Sequence, residues 1–385
     1  MIFDPQSKEM SNSDLEILTT NKVNARLKRI ANVLLINASF IDNLGLLNGK
    51  MGIAIFFYHY GQYTGTNIFS DYAGELIDEI YDEINTSSPV NFENGLTGIG
   101  WGIEYLVKNK FVQAETDEAL SEIDTVVYRN SLYRPFLLES GKDLFGYGLY
   151  YITRLREHGN DNNNLNTLFK KQHLIYLIDD CERILIQKKY LDFRIESLSI
   201  DTVNSFLWFL LEMHRWGIFP FKVEKLFHSL PEYISGPLQG TGQNSSKNQL
   251  IRLTEAIIPC VKDRILKETL EEILKKGCDS FCGKEGSNED EALVRDFINS
   301  AWQTILYEPY GVNNTGFEYK AERVFQIIDT EENWNKRLDN INKTNLGLTG
   351  LAGIGLGLLS SVMDQGAEEQ KLNSKLLTNT QQVER

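Results

Sequence analysis

Apolar residues recur along this chain with the period of a helix rather than of a strand. In "SDYAGELIDEIYDEI" (70–84), Leu76, Ile77, Ile80 and Ile84 form one stripe with acidic residues around it. "DRILKETLEEILKK" (263–276) repeats the pattern with Ile265, Leu266, Leu270, Ile273 and Leu274. Side chains three and four positions apart share a helix face, so both stretches predict amphipathic helices with one buried side. Alternating Val, Ile and Thr runs bounded by hairpin turns are scarce, which argues against an all-β or doubly wound fold.

A second pattern interleaves with the first. Glycines open apolar runs in "NGKMGIAIFFYHY" (48–60), "NGLTGIGWGIEYLV" (94–107), "SGKDLFGYGLYYI" (140–152) and "TGLAGIGLGLLSSV" (349–362). Weaker openings lie in "SGPLQGTG" (235–242) and "CGKEGSNEDEALV" (282–294), and "IESLSIDTVNSFLWFLLEM" (195–213) keeps the apolar helix without the glycines. Seven units result, opening near 49, 95, 141, 199, 237, 283 and 350, with the early ones 46 to 48 residues apart. That interval holds an inner apolar helix, a connection and an outer amphipathic helix. Residues 1–44 read as an N-terminal helical extension and 45–385 as one repetitive assembly.

Glycine costs a helix interior roughly 1 kcal/mol per site, so its repetition needs a reason. Turn geometry and close packing at crowded helix starts supply one. A phosphate loop does not: "GIGWGI" (98–103) and "GIGLGL" (353–358) lack dinucleotide spacing and follow no strand, and no Walker-type Gly-Lys-Ser/Thr occurs. The small-xxx-small spacing also suits membrane helix pairs, but these apolar runs are too short and their neighbours too polar.

Composition narrows the picture further. Of 385 residues, 42% are hydrophobic and 11% aromatic, enough for a sizeable core. The formal charge of -14 disfavours a broad nucleic-acid surface and suits a basic peptide partner. Four cysteines are too few for a disulfide scaffold, and "MIFDPQSKEMSNSDLEI" has no secretory pattern, so a cytoplasmic protein is expected.

The turns "GLTGIGWG" and "GLAGIGLG", about one per helical pair over residues 45–365, resemble the lanthionine synthetase C-like family. The resemblance implies an all-α (α/α)7 toroid of seven inner and seven outer helices. It implies a role in lanthipeptide-type peptide modification, with a precursor peptide in a central cavity and dehydratase or other modification enzymes as partners. Family cyclases add a cysteine thiol to dehydroalanine or dehydrobutyrine. Zinc held by two cysteines and one histidine activates the thiol, and a nearby histidine assists proton transfer. Zinc lowers the thiol pKa from its usual 8.5 or so, and an acid must serve the enolate formed by attack.

At the positions that carry this chemistry the chain departs from the family. Ser235 stands where the first zinc cysteine belongs, and Phe281 and Cys282 stand where Cys and His precede a glycine. A Gly-Leu-Ala-His-Gly-like turn is replaced by "ESLSIDTVN" (196–204), with Ser199, Ile200 and Asp201 near the acid–base position. No catalytic, cofactor or metal residues are therefore assigned, although a rewired zinc site near Cys278 and Cys282 stays open. His59 and His214 read as core or cavity-lining residues, and His158, His173 and His228 fall in polar outer segments. Glu93, Glu139, Asp143, Glu196, Asp201 and Glu285 sit at inner-helix openings, where acids suit the positive helix end. The alternatives to cyclisation are an inactive scaffold for peptide-modifying enzymes and, ranked last, a carboxylate-based α/α-barrel hydrolase.

Overall fold

A computed structural model describes residues 12–133, 141–157, 165–183, 199–239, 244–279, 294, 298 and 346–362. Its regular elements are helices, and no strand occurs among the described residues. The contacts divide the chain into two compact units.

The first unit holds α1 (Asn12–Asn37), α2 (Lys50–Thr64), α3 (Asn67–Glu83) and the C-terminal helix α14 (351–362). Helix α2 starts from the extended backbone of Gly49 and ends at Gly65, whose φ of 66° places it in the left-handed region that glycine adopts without steric cost. Nearly every residue from Lys50 to Gly61 is buried, as an inner helix requires. Helix α3 instead buries only Ala73, Leu76 and Ile80 along one face. The two form an antiparallel hairpin: Phe57 meets Phe69 and Tyr72, and the buried Lys50 ammonium reaches Glu79 and Glu83 at 2.8 and 2.9 Å. Helix α1 buries Val23, Leu27, Ile30 and Leu34 and clusters with this unit.

The second unit holds 44–47 and alternates inner with outer helices. Helix α4 (Leu96–Lys108) is followed by the short α5 (Thr116–Ala119) and by α6 (Ser121–Tyr133). Next come α7 (Gly141–Glu157), α8 (Leu165–Glu182) and α9 (Ile200–Arg215). Then α10 (Pro220–Phe227), α11 (Leu230–Gln239), α12 (Asn244–Ile257) and α13 (Arg264–Asp279) complete it. Helix α7 lies between α4 and α9, and α12 packs along the far side of α9. Outer α6 and α8 pack on α4 and α7, and α13 packs on α11.

Five of the seven expected openings coincide with helix starts at 50, 96, 141, 200 and 351. The fifth does not. Residues 235–239 lie inside α11, where Leu230, Ile234 and Leu238 build a buried stripe, and the next helix of the inner series begins at Asn244. The sixth opening, near 283, lies outside the described residues. In α13, Leu266, Leu270 and Leu274 face inward as expected, but Ile265 points to solvent. None of the helices among the described residues is long and apolar enough to cross a membrane.

Candidate functional site

The glycine-opened ends of the inner helices are where the sequence places its chemistry, and their packing sets the register between units. A Cβ on Gly100 of α4 would lie within 3.0 Å of the Tyr150 ring of α7, and one on Gly148 of α7 would meet Phe209 of α9 equally closely. In the first unit, Gly355 of α14 receives Phe56 of α2 in the same way. Each glycine thus accepts an aromatic side chain from the neighbouring inner helix. Phe56 and Tyr150 stand four residues after Gly52 and Gly146, so Phe209 marks Ser205 as the corresponding position of α9.

This register relocates the fourth-unit site. The residue immediately before that position is Asn204, so the turn expected around Ser199, Ile200 and Asp201 falls a few residues later in this register. Asn204 is buried near the start of α9, donates from Nδ2 to the Ser246 carbonyl at 2.9 Å, and has a buried Oδ1 that accepts no hydrogen bond among the described residues. An amide of this kind has no proton to exchange near neutral pH. The other residues of the turn have structural work. Ser199 caps α9 by accepting from the Thr202 amide, and Asp201 accepts from the Ser246 hydroxyl at 2.7 Å.

The metal positions fare no better as donors. Ser235 lies within α11 and not at the opening expected for it, and its hydroxyl is neutral where zinc chemistry calls for thiolate. Cys181 is fully buried, and burial pushes its thiol pKa well up, away from the ligating thiolate. Cys260 is half-buried, its thiol directed to the Ala256 carbonyl. No group of three or more His, Cys, Asp or Glu converges as a metal site among the described residues. These residues do not fit a tetrahedral zinc. Cys278 is in the last turn of α13, while Glu139, Glu196, Phe281, Cys282 and Glu285 lie outside the described residues. Asp143 falls in the first turn of α7, and Glu93 contributes its carbonyl to the Leu47 amide at 2.8 Å.

Carboxylates do converge, but away from the turns and around a cation. Arg154, fully buried on α7, binds Glu104 of α4, Asp117 of α5 and Asp124 of α6, the last two at 2.8 Å. Lys170 of α8 shares Asp117 at 3.1 Å, and the Tyr150 hydroxyl donates to Asp124 at 2.7 Å. Burial alone would lower the Arg154 pKa, yet Asp124 and Glu104 outweigh it and hold the guanidinium charged. Burial, reinforced by the Asp124 charge, raises the Tyr150 phenol pKa. With its acids committed to Arg154 and Lys170, this centre clamps helices together and leaves no carboxyl pair arranged for hydrolysis.

Two of these features escaped the sequence reading. Arg154 was hidden in "YYITRLRE", where nothing local distinguished it from Arg156 two residues on. His173, expected in a polar outer segment, is on outer helix α8 but only 2% exposed. His59 and His214 lie on inner helices, and burial lowers the His59 pKa to about 4. An open depression of about 560 Å³ beside Val107, Lys110 and Glu115 sits at the C-terminal end of α4, opposite its glycine turn. No protein-family model matches the chain, and no curated protein matches it.

Proposed function

We propose that this chain is a lanthionine synthetase C-like toroid that serves peptide modification in the cytoplasm by binding a modified precursor peptide, without the zinc-dependent thioether step. The observation that carries the reading is the repeated insertion of an aromatic side chain over a glycine of the preceding inner helix. It runs from α4 to α7 to α9 in one unit, and from α14 back to α2 in the other. In the latter unit the last repeat meets the first, which is the contact a closed ring of inner helices requires. The amide of Asn204 supports binding over catalysis, because it relays no proton at neutral pH. The acidic surface implied by a net charge of -14 favours a basic peptide and, through it, an encounter with the dehydrating enzyme.

The test is incubation of the purified protein with a dehydrated, cysteine-containing basic peptide, followed by thiol alkylation and metal analysis. The expected outcome is peptide retained on the protein with every cysteine still alkylated and no stoichiometric zinc. One zinc per chain together with loss of alkylatable cysteine would establish cyclisation instead. Peptide that is neither retained nor altered would remove the reading altogether.

A further inference from the structure

His173 joins three helices at a buried point where aromatic rings, rather than a paired acid, surround it among the described residues. Its ring stacks on Tyr151 of α7, with centroids 4.7 Å apart and planes 12° from parallel, and the Tyr128 ring of α6 meets it edge-on at 4.2 Å. Nδ1 lies 2.9 Å from the Ser131 hydroxyl of α6. That hydroxyl also lies 2.9 Å from the Tyr128 carbonyl, to which only it can donate. Ser131 therefore accepts from His173, which places the imidazole proton on Nδ1 and leaves Nε2 a bare lone pair. Nε2 is buried and makes no hydrogen bond.

A proton arriving at Nε2 would create a buried cation with a second N–H and, among the described residues, no acceptor. The groups around the ring cannot compensate. Tyr128 and Tyr151 are neutral, and Tyr176 on the same helix contributes only a ring contact at 6.2 Å. Asp124 of α6, whose charge acts on the ring, is already bound by Arg154 and Tyr150, and Lys170, one turn before His173, is held by Asp117. We infer that His173 is a proton-operated latch, which holds α8 against α6 and α7 while neutral and releases it when protonated.

Desolvation, only partly opposed by Asp124, lowers the His173 pKa from 6.5 to about 4. The closed form thus binds fewer protons than the open form. The latch is fully effective above pH 6.5 and weakens as the pH falls from there toward 4. Between pH 7 and pH 5 the linkage relation raises the opening equilibrium of α8 about 20-fold.

Hydrogen–deuterium exchange of the intact protein at pH 7 and pH 5, corrected for the intrinsic exchange rate, reads this opening directly. Peptides from α8 should show the 20-fold rise, while peptides from α13, a helix without histidine, should not. The variant His173→Phe keeps the ring stack but cannot titrate, so its α8 should lose the pH response. Should that variant fail to fold, the contrast between α8 and α13 in the unsubstituted protein still decides the matter. Equal rises in the two helices, an unchanged α8, or a full response in folded His173→Phe would each overturn the latch.

Discussion

Gly148 and Gly236 show how differently one residue type works in this chain. A Cβ on Gly148 would press into the Phe209 ring, while one on Gly236, in the exposed middle of α11, would meet nothing within 4 Å. Replacing Gly148 with Ala forces the aromatic partner or the helix to move and should cost about 1–3 kcal/mol. Replacing Gly236 with Ala meets no tertiary neighbour and removes unfolded-chain entropy, but its Cβ would crowd the following Pro237 ring, so it should stabilise by less than about 0.5 kcal/mol. Urea unfolding of the two variants checks both signs. If the Gly148 variant matched the parent, the interlocking of inner helices would not depend on glycine. The asymmetry also explains a sequence-level miss: Gly236 and Pro237 resemble a turn in print, yet the stripe of Leu230, Ile234 and Leu238 carries the helix through them.

At the scale of elements, the inner helices were legible because glycine at their starts and burial around their circumference leave a mark in one dimension. So α2, α4, α7, α9 and α14 begin where the glycine pattern, or its apolar remnant at 199, placed them. Outer helices α3 and α13 were legible by stripe, apart from Ile265, which sits one residue and so about 100° away from the stripe of Leu266. What joins the elements was not legible. Arg154 gathers partners separated by 30 to 50 positions in sequence, and no local pattern announces such convergence. Likewise, Asn204 became a site residue only once Phe209 fixed the register against Gly148. Truncating Arg154 to Met would leave the buried Glu104 and its neighbours without a counter-charge, at an expected cost of about 3–5 kcal/mol. A thermal melt of Arg154→Met should show a large loss of stability, and α4, α6 and α8 should lose exchange protection together. Protection lost from only one of the three would show that Arg154 does not clamp them as a set.

For the whole molecule, the helical class follows from periodicity, while function rests on how the repeats combine and on what their openings no longer carry. Glycine–aromatic packing between helices recurs within both units, and in the first it brings α14 against α2. The amide at 204 offers neither a thiolate nor a titrating proton. The task we propose for the protein is binding, which needs neither a thiolate nor a proton relay. An acidic protein recognising a basic peptide should bind it more weakly as salt rises, since screening acts on exposed charges at a Debye length of about 8 Å near physiological ionic strength. Calorimetric titration with a dehydrated, cysteine-containing basic peptide tests this most directly. The account predicts saturable binding of one peptide per chain, weakened by salt and unchanged by a zinc chelator; no binding, or binding abolished by the chelator, would contradict it.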